Sequence, residues 1–397
     1  MAGETLRFAG NECKLRRFAV SPAALRRARL RPVFQENAMK NVMLVGGGKI
    51  GVAIAEFLSA TGDYQVTVAD RDIQSLARMP AKNVTTRVLE IADAESFAHE
   101  VEGHDIVLSA TPYHLTATVA EAAKRAGAHY LDLTEDVEST RAIRRLAKGA
   151  DTAFVPQCGL APGFISIVAA DLARKFEKLR DVQMRVGALP VFPTGALKYN
   201  LTWSTDGLIN EYCNPCESIR DGHRGEVPAL EELEEFALDG TEYEAFNTSG
   251  GLGTLCDTLE GKVENLNYKT VRYPGHRDII KMLVRDLRLG LRRDVLKDVL
   301  ETAIPITFQD VVLIFVTVSG WREGRLTQES YAKKIYAQQV GDRLMSAIQV
   351  TTACGICAMC DMLVNGQLPQ KGFVRQEEAK LSDFLANRFG RYYARGH

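Results

Sequence analysis

Gly46-Gly47-Gly48-Lys49-Ile50-Gly51 fits the pattern G-x-G-x-x-G. The pattern serves dinucleotide binding when a strand precedes it and a helix follows. The apolar run Asn41–Val45 and the helical spacing of Ile50–Ala60 supply that context. Gly46 permits the tight turn, Gly48 lets a pyrophosphate approach the backbone, and Gly51 lets the helix sit close to the strand. Lys49 and Ile50 open that helix, whose N-terminus faces the phosphates with partial positive charge. Asp70 lies 19 residues past Gly51, at the end of a second β-branched run. A carboxylate there accepts hydrogen bonds from the adenosine ribose and repels a 2′-phosphate, so NAD is expected over NADP. Arg71 beside it weighs the other way, because a guanidinium there suits a 2′-phosphate. Asp93, after the third strand, suits either the adenine edge or a helix N-cap. In Ser109-Ala110-Thr111-Pro112-Tyr113-His114, Ala110 and Thr111 leave room for the nicotinamide ribose. Tyr113 and His114 then stand beside the reacting carbon or cap the next helix.

Strands and helices must alternate to place these groups together. Gln65–Ala69, Val84–Ile91, Ile106–Ser109 and Tyr130–Leu133 read as strands after the first, with a helix over Leu115–Ala126. Such alternation predicts an α/β Rossmann domain, a parallel sheet covered on both faces, over residues 39–155. Carboxyl ends of its strands line the ligand crevice. Beyond Cys158, strand-like runs at Val182–Leu189, Lys198–Trp203, Glu242–Phe246, Leu266–Arg272 and Ile306–Ser319 predict an α+β substrate domain over 156–340, with a mixed or antiparallel sheet. The acidic stretch Glu231–Glu235 reads as a solvated helix face or loop. Tyr331–Val364 reads as helical and rich in small residues, and the segment 341–397 is expected to return helices to the first domain.

Among the 397 residues, 49 Lys+Arg oppose 50 Asp+Glu, which leaves no global field for gripping nucleic acid or an anionic membrane. No apolar run is read as long enough to span a bilayer. The eight cysteines form no disulfide framework, so a reducing, cytoplasmic setting is expected. Cys213/Cys216 and Cys354/Cys357/Cys360 have zinc-like C-x₂-C spacing, but the latter three drift around a helix, and no metal is expected. Residues 1–38 carry eight Lys/Arg against three Glu. An organelle transit peptide has that composition. Because the first strand follows Met39 at once, the segment is read instead as a disordered or mis-assigned basic leader.

Further motifs come in one order: Cys158-Gly159-Leu160-Ala161-Pro162-Gly163-Phe164, Gly187-Ala188-Leu189-Pro190, Tyr199-Asn200-Leu201-Thr202-Trp203-Ser204, Asn214-Pro215 and Arg272-Tyr273-Pro274-Gly275-His276. With the glycine-rich opening, this series resembles the saccharopine dehydrogenase-like family, and within it the lysine 6-dehydrogenases. The resemblance implies NAD-dependent oxidative deamination of the side-chain amine of L-lysine to the semialdehyde and ammonia, in lysine breakdown. It also implies a homodimer or larger assembly. Saccharopine dehydrogenase activity is the alternative, followed by another amine dehydrogenase or an NAD-binding sensor without turnover. Glutamate-forming saccharopine dehydrogenases carry Asp after Gly-Leu, where this chain has Ala161, which argues mildly against saccharopine.

That chemistry needs a neutral amine, since an ammonium has no lone pair to assist hydride departure. A lysine amine has a pKa of about 10.4, so the site must remove a proton. His114, Asp132 and Glu135 are the candidate bases, with His276 a further one. Arg272 or Lys198 suits the substrate carboxylate. Glu135, Tyr199 and Trp203 suit its α-ammonium and chain. Competing readings stay open: Asp132 as a turn former, Trp203 as core, Cys158 as a buried thiol, and His276 as a helix cap.

Overall fold

The computed structural model describes residues 39–80, 82–91 and 93–394, so the reading of residues 1–38 lies outside the described residues. The apolar runs of the first part become strands β1 (Lys40–Val45), β2 (Tyr64–Asp70), β3 (Val84–Val88), β4 (Ile106–Ser109), β5 (His129–Asp132) and β6 (Ala153–Val155). All pair in parallel, in the order β6-β5-β4-β1-β2-β3. Strand order reverses between β1 and β4, and an open parallel sheet forms its ligand crevice at such a point. Val42, Leu44, Val66, Val68 and Leu108 have no exposed surface, as expected for strands covered on both faces.

The second sheet is built from β7 (Lys178–Pro190), β8 (Cys216–Arg220), β9 (His223–Val227), β10 (Glu234–Leu238), β11 (Thr241–Asn247), β12 (Asn265–Arg272), β13 (Asp310–Arg322) and β14 (Arg325–Tyr336). Its main path is β10-β11-β12-β7-β13-β14, with the β8–β9 hairpin alongside β12. Only β12 and β7 run parallel; the other pairs are antiparallel. Residues two apart on a strand share a face. Tyr268, Thr270 and Arg272 therefore look one way, and Lys269 looks the other, to Glu234. The fold is α/β, a Rossmann sheet beside a mixed sheet.

Several expected elements differ. Lys198–Trp203 is not a strand; it is a turn and loop, with Lys198 at φ 49°, leading into the helix Thr205–Cys213. Glu234 and Glu235 belong to strand β10. The segment read as one helix from Tyr331 instead completes β14, makes the short hairpin β15 (Gln338–Val340) and β16 (Arg343–Met345), and turns helical only at Ala347. A capping box of Ser346 and Gln349 starts that helix, and the Asp310 carboxylate accepts from the amides of Ala347 and Ile348.

The helix Ala347–Val364 is long and apolar enough to cross a membrane, contrary to the sequence expectation, but 83% of it is buried against the rest of the fold. It lies on the helix Lys49–Ser59. Its Gly355 also lies close against the Cys158–Gly159 backbone, where a β-carbon would stand 2.7 Å from the Cys158 carbonyl oxygen. Cys354, Cys357 and Cys360 are buried within it, with the Cys354 sulfur near the Thr351 carbonyl and that of Cys357 near Ile54. Strand β17 (Gly372–Phe373) then joins β6 as a seventh parallel strand.

Asp361 ties these pieces together. It is 4% exposed and accepts from Tyr64 Oη at 2.6 Å, Asn387 Nδ2 at 2.8 Å and Arg388 Nη2 at 2.6 Å. An Asp361→Ala substitution strands three donors, so we expect a loss of about 2–4 kcal/mol, read as a lowered urea midpoint with an unchanged slope.

Candidate active site

The glycine loop forms as its spacing requires. Gly46 has φ 104°, and a β-carbon there would meet the Ala110 carbonyl oxygen at 2.6 Å. One on Gly51 would stand 2.0 Å from the Gly46 carbonyl oxygen, whereas Gly48 faces open space. That opening is where a pyrophosphate reaches the backbone. Asp70 accepts from the Gly47 amide at 2.5 Å and from the Asp72 amide at 2.8 Å, which fixes its carboxylate at the cleft. Gly46, Gly48, Asp70, Arg71, Ala110, Thr111 and His114 line this groove. Asp93 does not: its carboxylate caps the helix Ala94–Val101 through the Ser96 amide.

A second chamber of about 190 Å³ adjoins the groove, and Ala110, Thr111 and Pro112 border both. Ile50, Tyr113, Glu135, Trp203 and Arg272 line the chamber, joining ends of Rossmann strands to the second sheet. Asp206 and Glu211, on the helix Thr205–Cys213, and Thr270 on β12 add to its polar lining. These three have no motif of their own in the sequence. The available signal was Ser204, whose hydroxyl caps that helix through the Gly207 amide, with Gly207 and Glu211 one turn apart.

Arg272 is 2% exposed and its hydrogen bonds are directional. Nε donates to Tyr212 Oη at 3.0 Å, and Nη1 donates to Thr270 Oγ1 and the Val271 carbonyl, both at 2.9 Å. Tyr212 Oη lies 3.0 Å from His276 Nε2, and His276 Nδ1 lies 2.9 Å from the Leu197 carbonyl oxygen. A carbonyl only accepts, so Nδ1 carries the proton and Nε2 takes the tyrosine hydrogen. Burial, then the Arg272 guanidinium, depress the His276 pKa to about 3, so the ring is neutral. His276 is therefore a buried support behind Arg272, not a chamber-lining base or ligand group. Tyr199 also stands behind, with its ring 4.9 Å from the guanidinium carbon. Arg272 Nη2 is left facing Glu211 Oε2 at 3.9 Å.

Glu135 is wedged in place by two glycines. A β-carbon on Gly207 would meet Trp203 Cζ3 at 2.4 Å and Glu135 Oε1 at 2.7 Å, and one on Gly250 would meet the Glu135 carbonyl at 2.4 Å. Burial, followed by the nearby charges of Asp136, Asp132 and Asp206, lifts the Glu135 pKa to about 7. Glu211 is raised to about 8 by burial, against the pull of Arg272. Asp132 is raised to about 6, also by burial, but it lines no part of the chamber. Its Oδ1 holds the Thr134 and Gln157 amides at 2.9 Å, a turn-forming role beneath the site. Lys198 is likewise turned away, donating to the Pro274 carbonyl at 3.0 Å. His114 is exposed and faces the groove rather than the chamber.

Two family models match: "Saccharopine dehydrogenase NADP binding domain" over residues 42–155 and "Saccharopine dehydrogenase C-terminal domain" over 159–391. A "Saccharopine dehydrogenase [NADP(+), L-glutamate-forming]" of Pyricularia oryzae is 25% identical over 280 residues, 68% of this chain and 61% of that protein. Its Saccharomyces cerevisiae counterpart is 24% identical over 271 residues, 64% and 59% respectively. The chain thus spans about three-fifths of the length of these relatives. The apo structure of the saccharopine dehydrogenase (L-Glu forming) from Saccharomyces cerevisiae superposes with a TM-score of 0.69 at 18% identity, covering 85% of this chain and 94% of that one. Those figures speak to fold.

Gly207→Ala forces Trp203 and Glu135 aside without touching the glycine loop. We expect dinucleotide affinity within about twofold of the parent and turnover reduced by about tenfold or more, checked by fluorescence titration and steady-state assay.

Proposed function

The chain belongs to the saccharopine dehydrogenase family, and from that premise we propose that it oxidises an amine carbon of a lysine-type amino acid, with L-lysine as substrate and a pyridine nucleotide as hydride acceptor. One observation carries the choice of substrate: three acidic side chains, Glu135, Asp206 and Glu211, line the chamber against one guanidinium, Arg272, and bound ammonium groups favour the ionised forms of Glu135 and Glu211 against the burial that raises them. Lys297 offsets part of the Asp206 charge, with a 2.6 Å contact. Lysine, with two ammonium groups and one carboxylate, suits such a lining. Saccharopine brings three carboxylates, for which the chamber offers one buried cation. Ala161, where the chain departs from the glutamate-forming pattern, lies on the chamber wall.

A pyridine nucleotide would supply the hydride acceptor, and Ala110 and Thr111 are among the groove residues that would hold it. This chain's residues do the rest. Arg272 Nη2 receives the substrate carboxylate, and Glu211 the α-ammonium. Glu135 takes a proton from the side-chain ammonium, freeing the lone pair that assists hydride departure. The same carboxylate then serves the water that attacks the imine carbon. Tyr113 and Trp203 wall the chain of the substrate and exclude bulk water. The balance is R–CH₂–NH₃⁺ + NAD⁺ + H₂O → R–CHO + NADH + NH₄⁺ + H⁺.

The named relatives back saccharopine dehydrogenation, our second reading, more directly than lysine deamination. They also name NADP, as does the matching family model. Asp70 is the reason we propose NAD: a 2′-phosphate at the end of β2 would face a fixed carboxylate. Assembly as a homodimer or larger, and a cytoplasmic setting, are also proposed, on family habit and on cysteine content.

NADH absorbance with L-lysine, saccharopine and a panel of amines decides the reading. NADH and ammonia from lysine support it; turnover of saccharopine alone moves the protein to the second reading. Nucleotide binding without turnover of any amine leaves a sensor. In the Asp70→Asn variant the acceptor remains but the charge goes, so the kcat/KM ratio for NADP over NAD should rise by about tenfold or more. With Glu211 needed ionised to hold the α-ammonium and Glu135 active as carboxylate, at about 8 and about 7, kcat/KM should fall below about pH 8 and more steeply, towards about a hundredfold per unit, below pH 7. Glu135→Gln should leave only the shallower limb set by Glu211 and lower kcat by about 10²–10⁴-fold.

A further inference from the structure

Glu135 reaches the chamber from just past the end of Rossmann strand β5, whereas Glu211 and Arg272 belong to the second domain. Their spacing depends on how the two domains are held together beside the chamber. Asp136, next to Glu135, caps the helix Val137–Ala147 by accepting from the Ser139 amide at 2.8 Å, so Glu135 moves with that helix. Val137, Thr140, Arg141 and Arg144 share one face of it, at three- and four-residue steps. That face borders a hollow of about 400 Å³, whose other wall is the β8–β9 hairpin and the helix Leu255–Leu259.

Five charged side chains bridge this hollow. Arg144 Nη2 meets Asp257 Oδ2 at 2.5 Å, and Arg141 Nη2 lies 3.4 Å from Glu217 Oε1. Arg224 of β9 braces both acids, with Nη2 2.6 Å from Glu217 Oε1 and Nη1 against Asp257 Oδ1. The side chains of Glu217 and Asp257 are only 13% and 20% exposed, so these pairs escape much of the screening that weakens isolated surface pairs. Burial raises the Asp257 pKa, but the bonds from Arg144 and Arg224 outweigh it and hold the carboxyl below its ordinary value.

The two acids also flank the backbone that carries Glu211. Ser249 donates its amide to the Glu211 carbonyl at 3.0 Å and its hydroxyl to the Pro215 carbonyl at 2.8 Å. Its neighbour Gly250 is the residue packed on the Glu135 carbonyl. Glu217 follows Pro215, and Asp257 follows Gly250, so both anchors sit on the segments that meet Glu211 and Glu135. We propose that Arg141, Arg144 and Arg224, with Glu217 and Asp257, form a clamp across the domain boundary that positions Glu135 against Glu211 and Arg272. All five line neither the chamber nor the nucleotide groove, so they are positioning residues. The clamp acts through Glu135, and it rests on Glu135 being the base of the proposed amine oxidation. Without it the helix Val137–Ala147 can shift and take Glu135 along, and a displacement of about 1 Å at a reacting group can cost up to about a hundredfold in rate.

Steady-state kinetics on the full chain, with L-lysine or with saccharopine if the parent oxidises that instead, tests the clamp. Arg144→Gln and Asp257→Asn should each lower kcat by about threefold to thirtyfold, with the nucleotide KM within about twofold of the parent. The double variant should lose about as much as Asp257→Asn alone, since the two changes break one shared contact. Arg144 meets Asp257 through one nitrogen, so Arg144→Lys keeps the charge and should recover most of kcat. Lys371→Gln breaks an exposed pair with Asp151 away from the hollow and should leave kcat unchanged. Asp257→Asn keeps the side-chain shape, so it carries the test if Arg144→Gln does not fold. A kcat that holds in Asp257→Asn overturns the clamp, even where the melting temperature falls. So does an Arg144→Lys enzyme as slow as Arg144→Gln, or an equal loss in Lys371→Gln. The reading beneath it fails separately: undiminished kcat in Glu135→Gln shows that Glu135 is not the base, and the clamp falls with it.

Discussion

A guanidinium buried on strand β12 is the constraint on which the site depends. An isolated charge in a protein interior costs several kcal/mol unless its donors are satisfied. Arg272 meets that requirement with Tyr212, Thr270 and the Val271 carbonyl, and with the aromatic face of Tyr199. Tyr212 is held in turn by a neutral His276, whose other nitrogen is anchored to Leu197. Every link has a fixed donor and acceptor, so the chain can be assembled in one way. Its end result is a guanidinium with one nitrogen left towards the chamber.

The same helix that supplies Tyr212 supplies Glu211, Asp206 and Gly207. Arg272 cannot be stabilised without also bringing an acidic wall to the chamber. Gly207 then lets Glu135 and Trp203, from separate parts of the chain, approach that helix closely. Burial of these carboxylates lifts Glu135 to about 7 and Glu211 to about 8, where proton exchange near neutral pH is possible. The acid–base capacity of the chamber is thus a consequence of packing around Arg272.

The crevice that receives the nucleotide is held by a different device. The helix Ala347–Val364 crosses the Rossmann helix Lys49–Ser59, and its N-terminus, fixed by Asp310 from β13, brings Ile348 and Thr352 to the chamber. Asp361 at its far end binds Tyr64 of β2 and Arg388 of the C-terminal segment. One helix therefore links the second sheet, the chamber and the Rossmann domain.

The Rossmann half was legible in the sequence because its information is local. Strand–glycine–helix order, the carboxylate at Asp70 and the turn at Ala110–Thr111 are set within short stretches, and backbone sterics permit few alternatives. Trp203, Glu135 and Arg272 could be named as polar or aromatic groups near strand ends and motifs. The sequence could not say which candidates face the chamber. Asp132, Lys198 and His276 have the chemistry of site residues, yet each is held by a backbone partner away from the chamber. Glu211 has no motif and becomes important only because a helix lays it beside Arg272, 61 residues further along the chain. The segment after Tyr331 misled for a related reason: β14, at a sheet edge, is mostly polar with no clear charged–apolar alternation, and its pairing with β13, not its composition, makes it a strand. Local order determined the dinucleotide fold; long-range pairing and burial decided which side chains meet the substrate and with what charge.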